Sequence, residues 1–463
     1  MSFGGFGAPS APFGQSSAAP SFGSFGASSG GGAFGSSAPS GGLFGGSAPS
    51  GGLFGAQPAA AGGAFGAPTG AAQVGGGIGA GSGDYEVPRD ANFAQDAISC
   101  VEFSPMANSS LLLSASWDGK VRCYDVQDQM GMLKSDLRAW VQHPAPVLDA
   151  CWKSDGSGCF SAGCGNTVKL WSFDASRPGL QTAQDVGRHD APVRSVRWIA
   201  QSNLLVSGGW DNKLNYWDLR QPNPVLSVQL PGRVDCMDVR FPYCCVATGG
   251  SEEQRQVVIY NLQSGNPSQP ERVLNQPAQP ERALSQGGPA PAQLQFTKPL
   301  KKQYRSIAIF PDCSGFAITS IEGRCSIQYF AMQKLGDNFA FKCHRDKNTK
   351  RIYSVNSLAF HPQFGTFATA GSDGIFNFWD KDSKQRLKSS NQLKLNNNPE
   401  TPASIVSGSF SANGALYAYA TSYDWSKGMA FNPGATMSGI MIHRTVEDQI
   451  KPKKATVGAT GFR

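Results

Sequence analysis

A three-stretch unit recurs along the chain from Ile98 onward and restricts the folds that are open to it. Each unit has an apolar stretch, a turn, a second apolar stretch ending in small residues, a short turn, and a third stretch ending in an aromatic residue. Seven units can be recognised, and they begin at Ile98, Val147, Val193, Val234, Ile307, Val355 and Ile405. The terminal aromatic residues of the first three, Tyr124, Trp171 and Trp217, are 47 and 46 residues apart. Short β-branched and aromatic runs at this period predict an all-β, seven-bladed β-propeller.

The third unit resembles a complete WD40 repeat. Asp211 falls in the tight turn, Ser207 lies four residues before it, and Trp217 lies six residues after it. With His189 upstream, these side chains would form a hydrogen-bonded tetrad that joins the turn, the strands and the loop between blades. His189 is therefore predicted to be a structural residue and not a catalytic base.

Other units keep only part of this tetrad. The second unit has Gly165 where the Asp belongs, and the first unit has Tyr124 in place of the Trp. We expect these losses to lower local stability without changing the fold.

The seventh unit lacks a strand. It shows three clear strands, at about residues 405–410, 416–420 and 439–443, although a blade needs four. An open ring would leave an exposed strand edge. Residues 84–90 precede the first blade and contain a short strand-like stretch, so we predict that they close the ring of a propeller spanning residues 84–450.

The first 83 residues form a different kind of polymer. They contain 27 of the 56 glycines and no Asp, Glu, Lys or Arg, so we predict a disordered tail over residues 1–83. Nine Phe-Gly dipeptides are distributed along it, at Phe3, Phe6, Phe13, Phe22, Phe25, Phe34, Phe44, Phe54 and Phe65. A plain Gly/Ser linker does not need nine evenly distributed aromatic rings. We interpret them as stickers that bind weakly one by one and strongly in sum.

Two further segments are predicted to lie outside the blades. Residues 263–293 are rich in Pro and Gln and are predicted to form a disordered loop between blades. Residues 451–463 form a basic C-terminal tail.

Composition excludes several classes of protein. No apolar run approaches the roughly 18 to 20 residues that span a bilayer, and the N-terminus lacks the pattern of a secretory signal. The eleven cysteines are odd in number and contain no CxxC pair, which favours a reducing compartment over a secreted, disulfide-bonded protein. The net charge of +7 suits anionic partners such as RNA or an acidic peptide.

Signals for chemistry are absent from the sequence. It contains no HExxH, P-loop or GxSxG motif, and the adjacent Cys343 and His344 lack partners for a metal site. We therefore predict a non-enzymatic binding platform without metal or cofactor.

Two resemblances make the functional prediction specific. The tail is similar to the FG and GLFG repeats of nucleoporins, with GLFG at residues 42–45 and 52–55. Residues 84–450 resemble the nucleoporin-associated poly(A) RNA export family of WD40 propellers. That resemblance rests on six segments, at residues 99–105, 116–122, 320–324, 341–345, 376–382 and 422–428.

The family resemblance implies a function, a location and partners. Its propellers dock a short acidic and apolar motif of a GLFG nucleoporin and support poly(A) RNA export at the nuclear pore. The tail would bind nuclear transport receptors, and no membrane contact is expected. The chain departs from the family in carrying its own FG repeats and the Pro/Gln-rich segment.

Basic and aromatic residues of the fifth and sixth units are the predicted partner-binding site. They are Arg324, Phe341, Lys342, Lys381, Lys384, Arg386 and Lys388. Arginine suits bidentate contact with carboxylates, and the same patch could hold RNA phosphates.

Two other functions remain open at this level. The first is a mitotic-checkpoint scaffold, because a sister propeller family binds a similar peptide motif on kinetochore kinases. A kinetochore scaffold, however, has no use for FG repeats. A sequence-tolerant RNA-binding protein would use the basic patch alone and would show strong salt dependence.

Overall fold

A ring of seven four-stranded antiparallel sheets forms the folded part of the chain. The computed structural model describes residues 83–174, 177–264, 266–274, 299–395, 398–432 and 438–453. Innermost strands of successive sheets pack against one another, and the last packs against the first, so the ring is closed. The predicted seven-bladed propeller is confirmed. Residues 1–82, with the nine Phe-Gly dipeptides, lie outside the described residues.

The strands of a blade are named A to D from the channel outward. Blades 1 and 2 contain β2 (Ile98–Phe103), β3 (Leu111–Ser116), β4 (Lys120–Gln129) and β5 (Met132–Gln142), then β6 (Val147–Trp152), β7 (Gly158–Gly163), β8 (Thr167–Ser172) and β10 (Gln184–Arg188). The short β9 (Gly179–Leu180) adds a fifth, parallel strand to blade 1. Blades 3 and 4 contain β11 (Val193–Ile199), β12 (Leu204–Gly209), β13 (Lys213–Asp218) and β14 (Leu226–Gln229), then β15 (Arg233–Arg240), β16 (Tyr243–Gly249), β17 (Val257–Asn261) and β18 (Arg272–Leu274).

Blades 5 to 7 complete the ring. Blades 5 and 6 contain β19 (Tyr304–Ile309), β20 (Gly315–Ser320), β21 (Arg324–Tyr329) and β22 (Phe339–Lys342), then β23 (Val355–Phe360), β24 (Phe367–Gly371), β25 (Phe376–Asp380) and β26 (Gln385–Ser389). Blade 7 contains β29 (Ile405–Phe410), β30 (Leu416–Thr421), β31 (Gly439–Arg444) and β1 (Tyr85–Glu86). Outside the blades lie the hairpin β27 (Lys394–Leu395) and β28 (Asn398–Pro402), two 3-10 turns (Met332–Asp337, Met429–Phe431) and the helix α1 (Glu447–Ile450).

Strand direction gives the propeller two different faces. In each blade the chain enters strand A and strand C from one face, so the B–C turns and the D–A loops lie together there. We call it the tetrad face, because His189 and Asp211 lie on it. The A–B turns and C–D loops form the opposite face. Strands of five or six residues at about 3.3 Å per residue separate the faces by about 17 Å.

Apolar packing occurs between blades. Seven clusters of buried apolar side chains are found among the described residues, and each joins two neighbouring blades. Blades 7 and 1, for example, share a cluster in which Phe103 and Leu112 pack with Ala418 and Ile442. Because both faces of each sheet are covered, strands B and C are apolar on both sides.

Polar side chains join the inner strands. Ser407 and Ser409 Oγ accept hydrogen bonds from the backbone N–H groups of Val101 and Phe103, at 3.0 and 3.1 Å. An Asp238 oxygen likewise accepts the Ile309 N–H at 2.8 Å. These N–H groups lie on the channel side of strand A, where no further strand can pair with them, so side chains of blade 7 satisfy backbone donors of blade 1 and a side chain of blade 4 satisfies one of blade 5.

The seventh blade is completed by the N-terminal side of the propeller. Tyr85 pairs with Ile442, and the Val87 N–H donates to the Ile440 oxygen at 2.9 Å. Strand β1 therefore lies within the segment, residues 84–90, that the sequence analysis assigned to ring closure.

The Pro/Gln-rich loop begins later than expected. Residues 272–274 form β18, the outer strand of blade 4, and Val273 pairs with Val258. Without it the edge of β17 would have no partner, which is why the chain returns to the sheet before it leaves the blade. The rest of the predicted loop, residues 275–293, lies outside the described residues.

Two complete tetrads hold blades 3 and 6. In blade 3, His189 Nε2 and Trp217 Nε1 each lie 2.7 Å from Ser207 Oγ, and His189 Nδ1 lies 2.9 Å from an Asp211 oxygen. These are the four side chains that the sequence indicated. Blade 6 has the same arrangement, which the sequence analysis missed, made by His344, Thr369, Asp373 and Trp379. The signal was present, because Thr369 precedes Asp373 by four residues and Trp379 follows it by six.

Acid is expected to destabilise blade 2 through its incomplete tetrad. His143 Nε2 lies 2.8 Å from Ser161 Oγ, and no carboxylate faces its other nitrogen. Burial, together with the Lys169 ammonium, lowers the pKa of His143 to about 4. The unfolded chain takes up this proton near pH 6.5, so about 3 kcal/mol of stability is lost as pH falls from 6.5 to 4. Urea unfolding of the wild type and of His143→Asn at pH 6.5 and at pH 4 measures this loss of stability. The prediction fails if both proteins lose equal stability over that range.

Candidate docking surface

Arg324 and Lys342 are neighbours at the edge of the tetrad face. Arg324 begins β21, Lys342 ends β22, and the two residues are paired across the strands. The Arg324 side chain is 35% exposed and has only a long contact, 3.8 Å, with Glu322. This part of the predicted basic site is therefore a pair of neighbouring cations with access to solvent.

Three other predicted cations lie away from that pair. Lys384 lies in the C–D turn of blade 6 on the opposite face, with its Nζ 4.7 Å from the centre of the Phe339 ring. Arg386 and Lys388 are exposed along the outer strand β26. Sequence proximity suggested one patch, but the alternation of turns between the two faces divides it.

Two predicted contact residues are buried. Phe341 is 3% exposed and packs in the cluster between blades 5 and 6, 4.8 Å from the Trp379 ring. Lys381 is 8% exposed, and its Nζ lies 2.7 Å from Asp382 and 5.2 Å from the Phe310 ring centre. Both side chains are part of the packing of blades 5 and 6 and are shielded from solvent in this structure, so direct contact of either with a partner stays a prediction.

A ring of seven side chains surrounds the channel on the tetrad face. Every A strand has a β-bulge near its start, after the first paired residue in six blades and after the second in blade 4. A bulge leaves one residue unpaired and redirects its side chain. We call the seven bulged residues the mouth ring, and in blade order they are Ser99, Leu148, Arg194, Asp235, Arg305, Asn356 and Val406.

The mouth ring has a cationic half. Arg194 and Arg305 flank Asp235, and both arginines line the central channel, whose volume is about 580 Å³. Within the described part of the chain, Arg305 forms no ion pair. Arg194 forms neither an ion pair nor a hydrogen bond in the same residues. Burial and the nearby Arg194 lower the pKa of Arg305, while burial raises the pKa of Asp235. Two guanidinium groups that lack an ion pair are therefore available to an anion.

Aromatic side chains of blades 1, 3 and 7 lie on the tetrad face. Trp117, in the B–C turn of blade 1, and Trp425, in the long B–C loop of blade 7, have ring centres 5.0 Å apart. Trp425 has a positive φ of 59°, and Tyr423 packs on its ring at 5.6 Å. Trp210 occupies the B–C turn of blade 3 and is 40% exposed. The tetrad face thus offers apolar side chains together with partly buried cations.

Deeper in the channel the charges are already paired. Arg197 NH1 lies 2.7 Å from Asp149, and its Nε lies 3.7 Å from Asp238. Glu102 completes this group, and burial raises its pKa to about 7. These residues belong to the inner-strand network, whereas Arg194 and Arg305 lie at the mouth of the channel without an ion pair among the described residues.

Other kinds of site find no support among the residues that the structure describes. No group of three or more His, Cys, Asp or Glu side chains is placed to hold a metal ion. His344, a sequence candidate for metal binding, belongs to the blade 6 tetrad. No helix in the same residues is long and apolar enough to cross a membrane.

Comparison with known proteins agrees with the fold and identifies the family. The WD domain, G-beta repeat, matches residues 91–125, 134–172, 182–218 and 339–380. The WD40 propeller of Doa1 superposes with a TM-score of 0.53 at 13% identity, over 79% of this chain and 97% of that one, which supports the fold alone. The poly(A)+ RNA export protein of Schizosaccharomyces pombe is 40% identical over 378 residues, which are 80% of this chain and 94% of that protein. The chain belongs to the poly(A)+ RNA export family of WD40 propellers.

Two further relatives show how widely this export family extends. Protein Rae1 of Drosophila melanogaster is 37% identical over 380 residues, 80% of this chain and 96% of the relative. The mRNA export factor of Xenopus tropicalis is 39% identical over 371 residues, 77% of this chain and 89% of the relative. The family resemblance predicted from the blade segments is confirmed.

Proposed function

We propose that this chain is a non-enzymatic mRNA export adaptor of the nuclear pore. Its propeller docks a short acidic and apolar motif of a GLFG nucleoporin on the tetrad face, and its FG tail binds nuclear transport receptors. The names of its relatives refer to poly(A)+ RNA or mRNA export, which supports a role of this chain in that process.

The mouth ring carries the docking part of the proposal. Arg194 and Arg305 are cationic, partly buried and without an ion pair among the described residues, and the Trp117 and Trp425 rings lie on the same face. Carboxylates form strong, charge-assisted hydrogen bonds with guanidinium groups, and the attraction between the two charges increases where the surrounding dielectric is low. An acidic motif with apolar neighbours fits this combination.

The proposed division of the chain assigns one binding activity to each part. The tail at residues 1–83 supplies aromatic stickers, the propeller at residues 84–450 supplies the docking face, and residues 451–463 form a basic end. A tail fixed to the docked propeller would hold transport receptors at a high local concentration near the pore.

A pull-down tests the proposal without interference from the tail. Residues 84–463 are immobilised and exposed to nuclear extract, and the most abundant retained protein is identified by mass spectrometry. A retained GLFG nucleoporin supports the adaptor function. Kinetochore kinases without a nucleoporin would favour the mitotic-checkpoint scaffold and would refute the docking proposal.

Charge reversal at Arg324 is expected to weaken docking moderately. Arg324→Glu replaces a cation at the edge of the tetrad face by an anion, so affinity for the nucleoporin motif should fall about tenfold, as for other edge charges at interfaces. Its partial exposure predicts an unchanged melting temperature. Calorimetry measures the affinity, and Arg220→Glu, an 87% exposed arginine on the opposite face, is the control. Equal affinity of wild type and Arg324→Glu would remove this residue from the site.

Direct RNA binding is a second candidate, favoured by one loop. The D–A loop between blades 5 and 6 places exposed Lys347, Lys350 and Arg351 near Arg324 and Lys342. Phosphate contacts of this kind lower log affinity by about 0.7 per contact for each tenfold rise in salt. A titration of full-length protein with fluorescent poly(A) at several salt concentrations measures that slope, and a slope near zero excludes the candidate.

A further inference from the structure

We infer that Asn356 is a positioning residue of the docking surface, where it holds the Arg305 guanidinium at the mouth of the channel. The inference rests on the proposed docking function and adds a residue that does not itself need to contact the partner. Asn356 and Arg305 are neighbours in the mouth ring, on the A strands of blades 6 and 5.

Arg305 has one described hydrogen-bond partner. Its Nε and NH2 donate to the same oxygen, Asn356 Oδ1, at 3.3 and 3.1 Å. A neutral amide oxygen fixes the plane of the guanidinium without cancelling its charge. A carboxylate at this position would do both and would compete with an acidic partner.

Asn356 is itself held in one orientation. It is 7% exposed, and its Nδ2 donates to Ile405 O at 2.9 Å and to the hydroxyls of Ser372 and Ser404 at 3.0 and 3.3 Å. These acceptors fix which end of the amide points toward Arg305. Rotation of the amide would place its NH2 group against the guanidinium and a carbonyl oxygen against Ile405 O, so the observed orientation is the one that satisfies all partners.

The same contacts reach the aromatic part of the docking surface. Ser372 lies close to Asp424, which precedes Trp425 in the blade 7 loop. Asp424 accepts a hydrogen bond from the Ser426 N–H at 3.0 Å. Burial opposes ionisation of Asp424, but its polar neighbours outweigh burial and lower the pKa of this carboxyl. Asp424 forms no ion pair with Arg305 in the described part of the chain. Loss of Asn356 would release the guanidinium to turn toward Asp424 or Asp235.

A double-mutant cycle tests this role in the full chain. The probe is the docking fragment of the GLFG nucleoporin retained in the pull-down, synthesised with a fluorescent label. Asn356→Ala should weaken its binding about tenfold in the wild-type background and less than twofold in Arg305→Ala. Asn377→Ala, which removes a buried asparagine of the same blade that does not contact Arg305, should leave affinity unchanged.

Each outcome of the cycle has a distinct meaning. Equal losses from Asn356→Ala in both backgrounds would overturn the positioning role, because Asn356 would then act independently of Arg305. An unchanged affinity of Asn356→Ala beside a weakened Arg305→Ala would also overturn it while leaving the docking function in place. If Arg305→Ala binds as well as the wild type, the proposed docking site itself is wrong.

A second measurement does not depend on the peptide. Crystals of the wild-type propeller soaked in sodium iodide should show an anomalous peak between Arg194 and Arg305. In Asn356→Ala crystals the Arg305 guanidinium should move by more than about 1 Å and the iodide peak should be lost, whereas Asn377→Ala should retain both features. An unmoved Arg305 in Asn356→Ala would contradict the inference.

Discussion

A chain that begins at residue 91 is expected to melt about 6 °C below one that begins at residue 84. The deletion removes the buried Val87, its strand pairing and the Asp84 carboxylate, which accepts hydrogen bonds from Tyr419 OH at 2.6 Å and from His443 Nδ1 at 2.7 Å. Burial of one valine and four or five hydrogen bonds amounts to about 5 kcal/mol. For roughly 370 folded residues, whose entropy of unfolding is about 0.8 kcal/mol per kelvin, that loss lowers the melting temperature by about 6 °C.

Differential scanning calorimetry of three chain lengths checks this expectation. The full chain and the chain from residue 84 should melt together, because we propose that the tail adds no stability to the propeller. An equal melting temperature for the chain from residue 91 would show that the ring does not need β1. Asp84→Ala separates the two contributions, since it removes the carboxylate and retains the pairing of Tyr85 with Ile442.

Loss of Arg305 is expected to reduce nucleoporin binding more than any other single change. Arg305→Ala removes a partly buried guanidinium from the centre of the proposed docking surface, where a charged pair shielded from water contributes about 2 to 4 kcal/mol to binding. Affinity for the docking fragment should fall about 30- to 1000-fold. The effect exceeds that of Arg324→Glu because Arg324 lies at the solvent-exposed edge.

The control for Arg305→Ala lies in the same channel. Arg240 lines the other end of the cavity and is exposed on the opposite face, so Arg240→Ala should change affinity less than twofold. Fluorescence anisotropy with the docking fragment measures both variants, and circular dichroism verifies their fold. Equal losses in the two variants would indicate a general charge effect and would contradict a defined site on the tetrad face.

Particular residues show why the fold could be predicted and the site only partly. The period of the units and the spacing of Ser207, Asp211 and Trp217 are local, and they define a blade without knowledge of its neighbours. The same spacing at Thr369, Asp373 and Trp379 could have identified the second tetrad, but the Ser-to-Thr change concealed it.

The residues of the proposed docking surface were harder to recognise for a physical reason. Phe341 and Lys381 belong to family-like segments, yet both are buried, because a conserved-looking segment can serve packing as well as binding. Arg194 and Arg305 carry no motif and lie about 110 residues apart. Only the packing of successive blades 3, 4 and 5 places them on either side of Asp235, and only the bulge near the start of each A strand directs them to the channel.

The sequence by itself determined the repeat, the number of blades, the missing strand of the last blade and the family. Each depends on local apolar periodicity or on short motifs, which act within one blade. The tertiary structure alone decided which charges meet. Successive turns of one blade lie on opposite faces about 17 Å apart, while equivalent positions of different blades converge on one channel, so neighbours in the chain are separated and distant residues form the site.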